Sequence, residues 1–552
     1  MTEIDTVPAA QPTPPSPVER LADDHLAAMA RLDPCAAARL SIAGSEAELT
    51  DYSPAGVDAR AEQLRATKVA LEALTPTAAD RVTADLLAER IQAQLAQHDA
   101  GDVLGVLGPI NGPVAAIRGA FDNMPKESDA DWAAVAARLG KVPAAIASVR
   151  AGVAAAIERG RPPALRQLEA TVQQCSTWCG DPGSGGWFAG LATARADLAD
   201  SAVAAGEAYR ELGDWLQRDV APVARTTDGV GTEQYVRAAR MMLGSDLDPQ
   251  EAYDWAWTEV ERLDAAMRSV IDRIQPGATL VEAKEHLDLI TAITGAEEWL
   301  EWLQELTDRT TQVMRGTHFE IDEALVRCEA MLPPAGVAAA PYYSPPSEDL
   351  AIPGRTWYPT LGRERFPTWE MKTTVYHEAV PGHHLQLGRV KVLGAQLCRY
   401  RRNTIVSGHI EGWALYAERL MDELGAYEDD APGRLGFLSF QMLRAARVVI
   451  DIGLHLGFPR PDGSAWTPEN AKAMLVEQAG LSEAFAASEI DRYLGWPAQA
   501  ICYKLGEREW LAARADAEQR WGAAFDLKNW HTAALDLGSL GLAQLRAQLS
   551  AI

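Results

Sequence analysis

Apolar residues recur at spacings of three and four through most of the chain, and this periodicity predicts a mainly α-helical protein. From about residue 21 to 325 the segments are long, rich in Ala, Leu, Glu and Arg, and separated by short Gly and Pro breaks. One helix start is clear, because Asp248 can cap a helix whose first residue is Pro249. We therefore predict an N-terminal helical lobe over 21–325.

The helical pattern stops between about 326 and 360. This stretch is rich in Pro, Gly and Tyr between short apolar runs, which predicts one or two short strands with irregular loops. It is either an edge strand with which an extended peptide can pair or a proline-rich connector. We expect a large bilobed α-helical unit with a small β element near 326–360, in which residues 326–552 form the second lobe.

The composition limits the partners and the location. The 552 residues carry 77 Asp and Glu against 51 Lys and Arg, a formal charge of −26. Because such an acidic surface repels phosphate groups, we expect no nucleic-acid and no membrane partner. Residues 1–20 are Pro-rich and hold no basic stretch followed by an apolar run. We predict that they form a disordered tail rather than a secretory signal, and that the protein is cytoplasmic.

The strongest chemical signal is the octet HEAVPGHH at 377–384, which holds three of the ten histidines. Imidazole nitrogens bind zinc, and a nearby carboxylate can take the proton of a bound water. The spacing differs from the His-Glu-x-x-His pattern, in which the two histidines lie one helical turn apart. On an ideal helix His383 lies about 120° around from His377, and His384 lies about 10 Å further along. A shared metal therefore needs a break in the helix, which Pro381 and the glycine after it predict.

Two later helices carry polar residues on otherwise apolar faces. Glu411 and Glu418 lie two turns apart on one face, and Glu411 is the natural third ligand, as in zinc sites with two histidines and one glutamate. Arg447, Asp451 and His455 follow on the next helix at four-residue steps. They form either a helix-surface ion pair with a satisfied histidine, or a cleft wall that orients substrate or stabilises an oxyanion.

Two tyrosines flank the loop 495–498 near the end of the chain, Tyr493 and Tyr503. A tyrosine hydroxyl close to a metal is a good donor to an oxyanion. A buried tyrosine that only packs in the core is the commoner case. The residues alone leave both interpretations open.

These motifs resemble a bacterial family known as domain of unknown function 885. The resemblance rests on YHEAVPGHHLQ, EGWALYAE, RVVIDIGLH and RYLGWPAQAICYKLG, whose order covers about residues 21–552. The family is similar to distant, mainly helical gluzincin metallopeptidases, in which a histidine-glutamate motif is followed by a helix with a glutamate ligand. The resemblance implies a metallopeptidase-like fold with a deep cleft between two helical lobes, of which 326–552 would be the metal-binding catalytic lobe.

The resemblance also implies residue roles. His377 matches the first zinc-ligand histidine and Glu378 matches the general base. Glu411 matches the glutamate ligand, and Glu418 matches the acid that orients a ligating histidine.

The second histidine ligand is less clear. The pair Gly382-His383 aligns with the Gly-His that ends related motifs, which favours His383 and leaves His384 as the alternative. The unused histidine would support a ligand or face the substrate. A recurrent C-terminal pattern of the family, to which the resemblance assigns no role, is matched in this chain by Arg447, Asp451, His455 and Tyr493. Ala498 stands where the family has a glycine, which puts the conformation of that loop in question.

We therefore expect a zinc-dependent metallohydrolase with one Zn²⁺ per chain, with a peptidase of short peptides as the leading hypothesis. Glu378 would be the general base, and His455 or Tyr493 would stabilise the tetrahedral oxyanion, worth about 3–4 kcal/mol. Residues expected to support the ligands or bind substrate are His384, Glu418, Arg447, Asp451 and Tyr503. The alternatives are a zinc amidase acting on a small non-peptide molecule, and a non-catalytic binding protein whose widened histidine spacing no longer holds zinc.

Overall fold

The computed structural model describes residues 14–333 and 340–551, which form a mainly α-helical protein with two small sheets. This confirms the predicted fold class. The helices before the first strand are α1 (Pro17–Leu32), α2 (Pro34–Arg39), α3 (Pro54–Glu72), α4 (Arg81–Asp99), α5 (Pro113–Gly119), α6 (Asp129–Leu139), α7 (Val142–Glu158), α8 (Leu165–Cys179), α9 (Ala189–Ala194), α10 (Ala199–Trp215), α11 (Thr232–Leu243), α12 (Pro249–Ile274) and α13 (Leu280–Ile290).

The second half of the chain begins with a strand and alternates briefly between strands and helices. Its elements are β1 (Ala292–Thr294), α14 (Ala296–Met314), β2 (Cys328–Met331), β3 (Tyr342–Ser344), β4 (Gly354–Trp357), β5 (Arg365–Pro367), α15 (Met371–Glu378), α16 (His383–Leu393), α17 (Arg399–Asn403), α18 (Ser407–Glu423), α19 (Ala431–Leu456), α20 (Pro468–Ala479), α21 (Glu483–Gly495), α22 (Cys502–Trp521), α23 (Leu527–Asp536) and α24 (Leu542–Leu549).

The strands form two small sheets. One has the order β2-β4-β3, with β2 parallel and β3 antiparallel to β4. It lies within the stretch 326–360 and confirms the predicted β element. The other sheet pairs β1 with β5 in antiparallel register. We did not predict this pair, because a strand of three residues is too short to leave an alternating pattern.

Side chains pack into two main hydrophobic cores. The smaller core includes Phe188 and Tyr209 and is built mainly by the segment from α5 to α10. The larger core runs from α1 to α24 and includes Leu303 of α14 and Val449 of α19. The lobe boundary predicted at 325/326 therefore falls inside the larger core, which holds side chains from both sides of it.

The first helix begins earlier in the chain than predicted. The side chain of Ser16 accepts a hydrogen bond from the N–H of Glu19, and the carboxylate of Glu19 accepts one from the N–H of Ser16. This capping box starts α1 at Pro17, so the predicted tail boundary at residue 20 is wrong. Residues 1–13 lie outside the described residues.

Among the described residues, the stretch Asp129–Glu158 is long and apolar enough to cross a membrane by length and composition. Length and composition alone are weak evidence, because a core helix passes the same test. The stretch comprises α6 and α7, whose side chains of Val135, Ile146 and Val149 are buried in the smaller core. In this fold the stretch therefore forms two helices of the core.

Buried polar contacts of α19 hold the loop between α21 and α22. Asp451 accepts hydrogen bonds from the hydroxyl of Tyr235 at 2.6 Å and from the N–H of Ala498 at 2.9 Å. His455 Nε2 donates to the carbonyl oxygen of Tyr493 at 3.0 Å. Ala498 has a φ of +64°, the left-handed region that glycine adopts freely and alanine adopts at a cost. The loop thus keeps a glycine-like conformation without the glycine, and Asp451 helps to fix it.

The pH dependence of stability tests this role of Asp451. Burial raises the pKa of Asp451 to about 7, although Tyr235 and the Ala498 N–H act in the opposite direction. The folded protein therefore keeps a proton that the unfolded chain, with a pKa of about 3.9, releases. This contribution to stability is complete below about pH 4 and is lost as the pH rises to about 7.

We predict that the free energy of unfolding of Asp451→Asn, relative to that of the wild type, increases between about pH 4 and pH 7. The increase should be about 2–4 kcal/mol, since one pKa unit is worth about 1.4 kcal/mol. Urea unfolding of both proteins at several pH values in this range measures it. Parallel pH profiles for the two proteins would contradict the prediction.

Candidate metal centre

The histidine octet is divided between two helices. α15 ends at Glu378 and α16 begins at His383. Pro381 has no N–H to bond the carbonyl of His377, so the first helix cannot continue. A Cβ atom on Gly382 would clash with that same carbonyl oxygen, so the turn accepts only glycine at this position. The helix break predicted from the sequence is present, and it separates the octet into two distinct helices.

The break brings three ligand side chains together. Nε2 of His377 and Nε2 of His383 lie 3.5 Å and 3.6 Å from Oε2 of Glu411, which belongs to α18. The three donor atoms all lie within 4.8 Å of one another. Donor atoms bound at about 2.1 Å to a tetrahedral zinc ion are about 3.4 Å apart. The spacing and the ligand types therefore fit zinc.

An unpartnered oxygen supports this fit. Oε2 of Glu411 is buried and has no hydrogen-bond partner among the described residues. The two imidazole nitrogens are its polar neighbours, and both are too distant for a good hydrogen bond. A buried carboxylate oxygen without a partner is costly, and a cation between the three side chains removes that cost.

The electrostatics of the cluster also favour a cation. Burial acts to raise the pKa of Glu411, but the neighbouring His377 and His383 hold it well below its usual range. Burial acts to lower the pKa of His377, but the nearby carboxylate of Glu411, the hydrogen bond to Glu418 and the charge of Glu378 raise it to about 10. The carboxylates thus hold a proton on His377 at neutral pH, and a bound metal ion replaces that positive charge.

A buried polar network orients the first histidine. Nδ1 of His377 lies 2.7 Å from Oε1 of Glu418, which leaves Nε2 directed at the cluster. Oε2 of Glu418 accepts a hydrogen bond from the amide of Gln441, whose oxygen accepts one from Nζ of Lys504. Lys504 is fully buried and also pairs with Glu507. Glu418 therefore lies where the resemblance implies, supported by a chain of groups that fixes its position.

Sequence reasoning missed Gln441 and Lys504. The signal available was weak, since each is a single polar residue among apolar neighbours on its helix. Their roles become visible only when α18, α19 and α22 are packed together.

His384 does not belong to the cluster. Its Nδ1 lies 2.9 Å from the hydroxyl of Tyr343, and its Nε2 lies 2.9 Å from the carbonyl oxygen of Leu325. Burial lowers the pKa of His384 to about 4, so the ring is neutral and both nitrogens are occupied. The structure brings His383 to the cluster as the second histidine, and His384 instead joins α16 to β3.

The structure does not place His455 and Tyr493 at the cluster. His455 is 14 residues beyond Gln441 on the same helix, which is about 21 Å along its axis. The hydroxyl of Tyr493 donates to Glu489 at 2.7 Å and accepts from Nε of Arg447 at 3.1 Å. Both residues are used to hold α19 against α21, and these contacts do not support the oxyanion role predicted for them.

Tyr503 directly precedes Lys504, which ends the polar network behind His377. Its side chain is half-buried, and its hydroxyl makes no hydrogen bond with a described residue. Burial and the negative charge of Glu411 raise the pKa of Tyr503, so its hydroxyl keeps its proton. Tyr503 therefore offers a free hydrogen-bond donor close to the metal ligands.

Comparisons with known proteins identify relatives but no activity. Residues 34–549 match the family described as "Bacterial protein of unknown function (DUF885)". The fold matches that of a "putative lipoprotein from Colwellia psychrerythraea" with a TM-score of 0.85 and 23% identity, over 97% of this chain and 98% of that one. It also matches a "putative lipoprotein of unknown function from Shewanella oneidensis" with a TM-score of 0.75 and 19% identity, over 97% and 99% of the two chains. No curated protein matches the chain in sequence.

These structures overturn one expectation. Both similar proteins are described as lipoproteins, a class that is anchored to a membrane outside the cytoplasm. The cytoplasmic location predicted from composition and from residues 1–20 is therefore wrong. The net charge of a protein says nothing about the compartment in which it works.

The network behind His377 predicts an effect on metal affinity. Glu418→Gln keeps the size of the side chain but removes the charge that fixes and polarises His377, so zinc affinity should fall about 10- to 100-fold. Competition with a chelator at constant pH measures the affinity. Glu423→Gln is the matched control, because Glu423 lies on the same helix and pairs with Arg514 at the surface. Equal zinc affinities for the two variants would contradict the role of Glu418.

Proposed function

The chain belongs to the bacterial DUF885 family of unknown function, and from its metal-ligand cluster we propose that it is a zinc-dependent hydrolase that cleaves short peptides. The observation that carries this proposal is the convergence of His377, His383 and Glu411 around an unpartnered carboxylate oxygen. The similarity of the sequence motifs to those of gluzincin metallopeptidases supports it.

The three side chains would hold zinc through two imidazole nitrogens and one carboxylate oxygen. This is a ligand set of catalytic zinc sites, which keep a fourth position for water or substrate. Zinc bound there supplies Lewis acidity, which lowers the pKa of a water towards neutrality and polarises a carbonyl group. Manganese or cobalt could substitute, because the same donors bind them.

Two further residues would carry the proton and the developing charge. Glu378 is buried at the end of α15, directly after a ligand, and its charge acts on His377. It would accept the proton of the attacking water and pass it to the leaving nitrogen. Tyr503, with its free hydroxyl, would donate to the oxyanion in place of His455 and Tyr493.

The small sheet next to the octet favours a peptide as the substrate. Strand β3 lies at an edge of its sheet and, within the described residues, pairs with β4 alone. The opposite edge is covered, because the amide of Gln304 bonds the backbone of Cys328 and Ala330 in β2. Tyr343 of β3 contacts His384 at the start of α16, so the open edge is close to the ligands. An extended peptide can add to such an edge by main-chain hydrogen bonds.

The burial of the ligands favours short substrates. The side chains of His377 and His383 are 8% and 10% exposed, and that of Glu411 is 22% exposed. A folded protein cannot bring its backbone to so enclosed a site. The proposal therefore expects cleavage of oligopeptides to be much faster than cleavage of casein.

Replacement of the proposed base separates catalysis from metal binding. Glu378→Gln should retain zinc and lose about 10²- to 10⁴-fold in kcat, the usual contribution of a positioned acid or base. A digest of a peptide library followed by mass spectrometry, together with elemental analysis, measures both. Glu370→Gln is the control, because Glu370 lies directly before the same helix, about 12 Å along its axis from Glu378, and pairs with Lys284.

Two results would count against this proposal. Near-normal turnover by Glu378→Gln would remove the residue from the base role. Cleavage of small acylated amines by the wild type, without cleavage of any peptide, would favour the amidase alternative.

A further inference from the structure

A guanidinium without an acidic partner lies beside the metal cluster. Arg444 is three residues beyond Gln441 on α19, about 4.5 Å along the helix from the residue that bonds Glu418. Its side chain is half-buried between the rings of Phe440 and Tyr503, at 5.0 Å and 5.5 Å from their centres. It makes no hydrogen bond or ion pair with a described residue, and its Nε is buried and unpartnered.

A second arginine packs on the same tyrosine ring. Arg447 is buried, and its guanidinium lies 4.9 Å from the ring centre of Tyr503. Its Nε and Nη2 bond Glu489, but its Nη1 is buried and unpartnered. Glu489 also pairs with Arg492, so one carboxylate serves two guanidinium groups. With Arg444 included, the positive charges here exceed the negative charge of Glu489 by two.

This positive charge lies next to the polar network behind His377, because Arg444 is about one turn from Gln441 and Tyr503 adjoins Lys504 in the chain. Burial and the neighbouring Arg447 lower the pKa of Arg444, while the carboxylates of Glu418 and Glu411 act on it in the opposite direction. The charge of Glu411 likewise reaches Tyr503, on which both arginines pack. The arginine pair therefore lies beside the network that orients the metal ligands, within the electrostatic reach of Glu411.

A pair of guanidinium groups with unused N–H donors favours a carboxylate as its ligand. A buried N–H without a partner is costly, and the planar guanidinium matches a carboxylate with two parallel hydrogen bonds. The chain as a whole has a formal charge of −26, so attraction of anions is a local property of this site.

We propose that Arg444 and Arg447 bind a carboxylate of the substrate close to the scissile bond, so that the enzyme removes residues from the free C-terminal end of peptides. The inference rests on the proposed hydrolase function and adds the substrate class, which the sequence left open. Arg444, the more exposed of the two arginines, would donate hydrogen bonds to the carboxylate. Arg447, fixed by Glu489, supplies its unused Nη1.

The test uses three versions of one short peptide that the wild-type enzyme cleaves near its C-terminus. The first has a free C-terminal carboxylate, the second is amidated, and the third is amidated but ends in glutamate. Amidation should lower kcat/KM about 10- to 100-fold, the factor expected for the loss of hydrogen bonds to a charged group. Recovery of activity with the third peptide would show that a side-chain carboxylate is accepted as well.

The variant Arg444→Met should lower kcat/KM for the free acid more than kcat/KM for the amide, so that the preference for the free acid is lost. Arg434→Met is the matched control, because Arg434 lies on the same helix and is paired at the surface with Asp422. It should keep the full preference for the free acid. Equal hydrolysis of acid and amide by the wild type, or an unchanged preference in Arg444→Met, would overturn the proposal.

A binding measurement separates this inference from the proposed function. Calorimetry with zinc-loaded Glu378→Gln should show the free-acid peptide binding at least about 10-fold more tightly than the amide, and the added Arg444→Met change should remove the difference. Turnover without a preference for the acid would refute the carboxylate site and retain the hydrolase. Tighter binding of the acid without turnover by the wild type would retain the carboxylate site and refute the hydrolase.

Discussion

One buried carboxylate oxygen, Oε2 of Glu411, governs the arrangement of the site. It lies 3.5 Å and 3.6 Å from two imidazole nitrogens and lacks a hydrogen-bond partner among the described residues. Such an arrangement is unfavourable unless a cation joins the three groups. Three helices must end or cross at one place to create it, namely α15, α16 and α18. The buried network from Glu418 to Lys504 then holds the first histidine in the required orientation.

Local features of this site could be predicted from the sequence. Proline cannot donate a helical hydrogen bond, so a break within the octet followed from Pro381 alone. The two-turn spacing of Glu411 and Glu418 placed both on one helix face, where the structure has them. The choice of His383 came from the resemblance, not from geometry. Its physical reason is that His384 is held by Tyr343 and Leu325, which lie 41 and 59 residues away in the chain.

Predictions that needed the packing of distant helices failed. The polar stripe of Arg447, Asp451 and His455 was correctly placed on one face, but periodicity cannot say what that face contacts. In the structure it contacts α21 and the loop before α22, and the length of α19 carries His455 far from the ligands. Gln441 was missed on the same helix for the same reason. The resemblance marked these residues as recurrent without stating whether they serve structure or chemistry.

The most direct test of the proposed metal centre is the zinc content of protein purified without chelator, measured by elemental analysis on the wild type and on single ligand variants. The arrangement predicts about one zinc per folded chain, retained by His384→Gln and lost by His377→Ala, His383→Ala and Glu411→Ala. Circular dichroism establishes that each variant is folded. A folded wild type without metal, or zinc that is lost with His384 and kept without His383, would contradict the proposed site.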